Sequence, residues 1–190
     1  MRKLHDDYVF KKEELWSLDC TFSKIIHDGL LQFRNMERHG DPGGLFIENE
    51  WYVSVGKDDP RLNTQALEDY NGKLTEHHYI SFDQLTEMWT KILDDMILAF
   101  KITSEDTDGG GYLISISDND EAFKELYFLD GSDKVAVKNY MKSIHDVDPE
   151  TKTIKPSTEF LLFRTVSDKV DDFILKNREN FARYMSHLWD

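Results

Sequence analysis

The sequence predicts a mainly α-helical bundle of three long amphipathic helices, accompanied by shorter helices and a small β-hairpin. Two observations carry that prediction. Apolar side chains recur every three or four residues along three long stretches, whereas alternation with a period of two is confined to short runs. A helical stripe of this kind has to be hidden against another element, so three stripes imply helices packed on helices. With 190 residues, 39% of them hydrophobic and 13% aromatic, the chain can bury a core without a disulfide or metal staple. It is read as a single helical domain over residues 1–190.

The first helix is expected from about Lys12 to Arg38, where Leu15, Leu18, Phe22, Ile25, Ile26, Leu30 and Phe33 share one face. Gly40-Asp41-Pro42-Gly43-Gly44 ends it by combining unrestricted backbone torsions with a fixed φ and a missing N–H donor. Trp51, Val53 and Val55 then alternate with Tyr52 and Ser54, which is the pattern of a half-buried strand or hairpin. Residues 58–78 are polar and interrupted by Pro60, Asn63 and Gly72. They predict a connection with one helical turn between Ala66 and Tyr70.

Ser81-Phe82-Asp83-Gln84 is a capping box, in which the Ser and Gln side chains can each satisfy the other's backbone amide. It opens the second long helix, striped by Leu85, Met88, Trp89, Ile92, Leu93, Met96, Ile97 and Phe100. An acidic, Gly-rich loop is expected at about 103–111, followed by a short strand from Tyr112 to Ile116. Helical patterns then cover Asn119 to Leu129 and Asp133 to His145, with Asp130-Gly131-Ser132 between them. A polar linker at about 147–157 precedes the third long helix, striped by Phe163, Val166, Val170, Phe173, Ile174, Phe181, Met185 and Leu188.

Thirty-seven acidic residues against 23 basic ones give a formal net charge of −14. That field repels phosphate backbones, so direct nucleic-acid binding is not expected. The densest apolar stretch, Met96 to Phe100, is far too short to span a membrane, and Met1 to Asp7 lacks a signal-peptide apolar region. The single cysteine, Cys20, cannot form an internal disulfide. These features together predict a soluble protein of a reducing cytoplasm.

The candidate chemical motifs are incomplete. Asp106-Thr107-Asp108-Gly109-Gly110-Gly111 opens like a calcium loop but has Ser117 where the closing bidentate carboxylate belongs, so it reads as a surface loop. Seven scattered histidines show no H-E-x-x-H or Cys/His set, and no zinc site is expected; His77 and His78, being neighbours, diverge on any regular element. Cys20 beside the negative charge of Asp19 reads as an inert thiol. Asp19, Glu87, Asp94 and Asp95 on the first two long helices are the acids from which a magnesium or manganese site could be assembled, although the paired E-x-x-E signature of helical pyrophosphatases is missing.

Trp16-Ser17-Leu18-Asp19 at a helix start, the Gly-Asp-Pro-Gly stop, and Trp89-x-x-Ile92-Leu93-Asp94-x-Met96-Ile97-x-Ala99-Phe100 resemble small uncharacterised proteins encoded by tailed bacteriophages and prophages. The resemblance covers part of the chain and excludes the acidic segment after Ser104. It implies a viral origin and a host cytoplasmic setting, and it supplies no catalytic residues.

The leading functional expectation is therefore an acidic cytoplasmic binding protein without catalysis or cofactor. It would act on a host protein or sequester a small nucleotide-like defence ligand, with Arg34, Arg38, Trp51 and Tyr52 as the candidate ligand-binding residues. The alternative is a nucleotide or phosphoester hydrolase using Mg or Mn at Asp19, Glu87, Asp94 and Asp95; a second alternative is a virion or assembly component. Met185, Leu188 and Trp189 at the end of the last stripe suggest a homodimer.

Overall fold

The computed structural model of the chain describes residues 2–4, 7–9, 18–36, 44–48, 50–70, 73–105, 108–145 and 157–185. Helical residues outnumber strand residues, as the stripes predict, but the architecture differs from a three-helix bundle. Strands β1 (Arg2–Leu4) and β2 (Asp7–Val9) form a separate antiparallel pair. Helix α1 (Leu18–Asn35) is followed by β3 (Gly44–Ile47), β4 (Glu50–Val55), β5 (Gln65–Tyr70) and β6 (Lys73–Ser81), which make a four-stranded sheet in the order β3-β4-β6-β5. Strands β4 and β6 run parallel; the two outer pairings are antiparallel. Then come α2 (Phe82–Ser104), α3 (Gly109–Ser115), α4 (Asp120–Glu125), α5 (Gly131–His145) and α6 (Thr158–Tyr184).

Three expectations are corrected. The small hairpin is the β3–β4 part of a mixed sheet. The polar connection expected over 58–78 holds for residues 58–64, but from Gln65 on, including the helical turn expected near Ala66 to Tyr70, the chain forms the paired strands β5 and β6. The strand over Tyr112 to Ile116 is the helix α3. The capping box forms as the sequence predicts: Gln84 N–H donates to Ser81 Oγ at 3.3 Å and Ser81 N–H donates to Gln84 Oε1 at 2.9 Å. The helices α4 and α5 are separated by residues 126–130, so Asp130 lies in the connection while Gly131 and Ser132, expected there too, already belong to α5. Most of the 147–157 linker, Gly40 to Gly43, and Asp106 and Thr107 of the acidic loop lie outside the described residues.

Two apolar clusters fill the molecule. In the first, Leu85, Trp89, Leu93, Met96 and Phe100 of α2 meet Leu30 of α1, Leu45 of β3 and Tyr184 of α6, with Tyr52 and Ile80 of the sheet against them. Trp89 lies edge-on to Tyr184 at 5.5 Å between ring centres. In the second, Tyr112, Leu113 and Ile116 of α3, Phe123 and Leu126 at α4, and Val137 of α5 close on Phe163, Val166, Val170 and Ile174 of α6. Helices α2 and α6 contribute to both clusters, since Ile102 belongs to the second and Tyr184 to the first.

Helix α3 forms although it begins with three glycines, each costing about 1 kcal/mol relative to alanine in a helix interior. Packing explains it. The Asp108 carboxylate accepts from Gly111 N–H at 2.6 Å, and Asp171 of α6 accepts from Gly109 N–H at 2.9 Å. A Cβ at Gly109 would lie 2.8 Å from Asp171 Oδ1 and 2.9 Å from Val170 Cβ, so only glycine lets α3 come this close to α6. Gly29 in α1 has open space around its absent Cβ. Gly109→Ala should therefore cost about 1–3 kcal/mol of unfolding free energy by overpacking, while Gly29→Ala should add about 0.5–1 kcal/mol by helix propensity. Urea denaturation of both variants checks the opposite signs.

Helix α4 is tied to α5 by Asp120, whose carboxylate meets Lys134 at 2.8 Å and Lys138 at 3.1 Å. Hydrogen bonds from these lysines, and then their charge, lower the Asp120 pKa from 3.8 to about 2. A depressed folded-state pKa stabilises above the unfolded value and loses that stabilisation as pH falls through the folded value. The melting temperature should accordingly drop as pH falls from above 3.8 toward about 2, with a shallower drop in Asp120→Asn, measured by circular dichroism in a pH series.

Candidate functional site

The parallel pairing of β4 with β6 sets Glu50 opposite Glu76 and Tyr52 opposite His78. Because side chains alternate along a strand, these four residues project from one face of the sheet, while Trp51 and His77 project from the other. The face carrying the four also holds Leu45, Ile47 and Ile80 against the helices, so the group sits beside the first apolar cluster.

One ligand-type atom from each of Glu50, Glu76 and His78 lies within 4.8 Å of the other two. His78 Nε2 is 3.4 Å from Glu50 Oε2, and among the described residues this buried nitrogen makes no hydrogen bond. The Tyr52 ring stacks on the His78 ring at 4.8 Å with 19° between planes. Its hydroxyl donates to Glu50 Oε2. That hydrogen bond is the main reason the Tyr52 phenol is pushed up to about 12, with burial and the charges of Glu50, Glu48 and Glu76 acting in the same direction. Tyr52 therefore stays a donor and holds one carboxylate still. The group opens to solvent, with 39% of the Glu50 side chain and 25% of the His78 side chain exposed. Beside it, Glu48 stands in the left-handed region at φ 51° and pairs with Lys176 at 3.0 Å.

Two carboxylates and an imidazole are donors a divalent cation can use, and Tyr52 supplies the outer hydrogen bond that fixes a ligand's orientation. Among the described residues this is the one group of His, Cys, Asp and Glu with ligand atoms so close together.

The acids singled out from the sequence are dispersed in the structure. Arg34 Nε donates to Asp94 at 2.9 Å, tying α1 to α2, so these two residues engage each other. Asp95 accepts from Lys91 at 3.3 Å and from the Tyr127 hydroxyl at 2.5 Å. Asp19 is exposed and accepts the Cys20 thiol at 3.5 Å, and Glu87 is exposed on α2. Of the four candidate ligand-binding residues, Tyr52 belongs to the new group. Trp51 faces away and lies 5.8 Å from the Phe46 ring, and Arg38 lies outside the described residues. Sequence reasoning missed Glu50, Glu76 and His78. The available signal was a pair of period-two couples, Glu50-x-Tyr52 and Glu76-x-His78, each of which puts two functional groups on one face of a strand.

Comparison with protein-family models, with curated proteins and with solved structures finds no match. The site has to be read from its own chemistry. If the Glu50 carboxylate is what holds the Tyr52 proton, Glu50→Gln should bring the Tyr52 titration down from about 12 toward the ordinary 10, as followed by NMR of ring-labelled tyrosine. An unchanged Tyr52 titration would mean that burial, not Glu50, sets it.

Proposed function

We propose that the protein is a binding protein whose ligand site is the Glu50–Glu76–His78 group, and that the group takes a divalent cation. The carrying observation is the convergence of three ligand-type atoms within 4.8 Å on adjacent parallel strands. The net charge of −14 supports the reading, because it raises the local concentration of cations. Intramolecular pairing supports it further: Arg34, Lys91, Lys101, Lys134, Lys169 and Lys176 each sit on a carboxylate of the same chain, while the acids are in excess. The same anionic exterior suits a partner protein with a basic surface. The host-cell cytoplasm, the bacteriophage origin implied by the resemblance, and a homodimer at the C-terminal end belong to this proposal. Of the dimer residues, Met185 is 48% exposed, and Leu188 and Trp189 lie outside the described residues.

A second reading, metal-dependent hydrolysis of a nucleotide or phosphoester, is favoured by one feature of the same group. Three protein ligands leave coordination positions open, as catalytic metal sites do and structural ones do not. In that reading the metal sits at Glu50, Glu76 and His78 and not at Asp19, Glu87, Asp94 and Asp95.

A cation that binds only the folded chain must stabilise it, by about 2.7 kcal/mol at a hundredfold excess over Kd. Thermal melts with Mn²⁺ should therefore show a rise in Tm that Glu76→Gln removes and Asp94→Asn retains. A rise abolished by Asp94→Asn but kept in Glu76→Gln would overturn the assignment. Turnover of a chromogenic phosphodiester by the Mn²⁺-loaded protein would move the reading to hydrolase, and no turnover would keep it as a binding protein.

A further inference from the structure

Resting on the reading of the group as a cation site, we infer that Glu50, Glu76 and His78 select a zinc-type transition ion over magnesium and calcium, with Tyr52 as the positioning residue. The donor chemistry points there first. Calcium takes six to eight oxygens, and magnesium prefers an octahedron of oxygens with several waters, whereas an imidazole nitrogen is a favoured donor for zinc, cobalt and nickel. Two carboxylates supply few of the oxygens that calcium takes, whereas three protein ligands that include an imidazole match a four-coordinate ion that keeps one water.

The spacing points the same way. Zinc bonds of about 2.1 Å to nitrogen and oxygen place neighbouring donors of a tetrahedron about 3.4 Å apart. His78 Nε2 and Glu50 Oε2 already stand 3.4 Å apart, and Glu76 completes the set within 4.8 Å, so a short movement of one glutamate side chain closes the site. Nε2 is buried and makes no hydrogen bond, so in the tautomer protonated at Nδ1 its lone pair is open to a metal. A ring already stacked on Tyr52 and a carboxylate already held by the Tyr52 hydroxyl lose little freedom on coordination.

The distinguishing experiment titrates the full chain with Zn²⁺, Co²⁺, Mg²⁺ and Ca²⁺ separately, by calorimetry and, for Co²⁺, by visible absorption. One equivalent of Zn²⁺ should bind at least about 100-fold more tightly than Mg²⁺ or Ca²⁺. Co²⁺ should give the intense visible bands of a low-coordinate ion. Glu76→Gln and His78→Gln should abolish both effects, and Tyr52→Phe should weaken Zn²⁺ binding by about 10–100-fold while keeping the stoichiometry. Should a variant fail to fold, the wild-type His78 imidazole nitrogen shift, moved by Zn²⁺ and not by Mg²⁺, is the readout. Equal affinity for Mg²⁺ or Ca²⁺ at these residues would overturn the selectivity and leave the cation site standing. Zn²⁺ binding that survives both substitutions would overturn the assignment, and no binding of any divalent ion would remove the site itself.

Discussion

The stripe of α2 is too broad for one neighbour to cover. Leu85, Trp89, Leu93 and Met96 are all but removed from water, and covering them takes α1, the inner face of the sheet and the end of α6 together. Burying each such side chain contributes about 1.5–3 kcal/mol, so the arrangement of those three partners is strongly determined. It also determines the sheet. Strand β6 ends at Ser81 and α2 begins at Phe82, with no loop between them, so the capping box that starts the helix also fixes the end of the strand. Anchoring Leu45, Tyr52 and Ile80 against α2 then decides which face of β4 and β6 looks inward. Glu50, Glu76 and His78 share that face with Tyr52 and Ile80, and they come together because the strands are held in this register.

What could be read from the sequence follows from the range of the forces involved. Helix α2 and its start were legible because a period of 3.6 and a capping box are local patterns. Helix α6 was legible for the same reason, with its face of Phe163, Val166, Val170 and Ile174. Helix α3 was not, because Gly109-Gly110-Gly111 argues against a helix on propensity, and the compensation comes from Asp171, far along the chain. Strands β5 and β6 were hidden by their polarity: Gln65 to Tyr70 carries little apolar alternation, and its pairing with Lys73 to Ser81 is a tertiary matter. The divergence of His77 and His78 followed from their adjacency, since neighbours on a strand take opposite faces. Which of them would meet a carboxylate did not, because it depends on a parallel pairing between strands separated by β5. Asp19, Glu87, Asp94 and Asp95, read as possible ligands on helix faces, do not converge among the described residues, because Asp94 and Asp95 each engage a basic side chain.

The acidic composition takes on a more particular meaning beside this geometry. Many carboxylates do mechanical work: Asp94 ties α1 to α2, Asp120 ties α4 to α5, Asp133 accepts Lys169 from α6 at 2.7 Å, and Asp171 receives a backbone N–H of α3. The exposed pairs of Asp94 and Asp120 contribute modestly to stability, so their value lies chiefly in orienting one helix on another, whereas the Asp133 carboxylate is buried. Glu50 and Glu76 differ in kind. They stand opposite each other on β4 and β6, and among the described residues the side chains that meet Glu50 are the Tyr52 phenol and the His78 imidazole.

The most direct measurement of this account is diffraction from crystals grown with Zn²⁺ and recorded on both sides of the zinc absorption edge. The account predicts an anomalous peak bounded by the side chains of Glu50, Glu76 and His78, with Tyr52 still hydrogen-bonded to Glu50. Zinc found only at other surface carboxylates or histidines, with this group empty and its side chains apart, would contradict it.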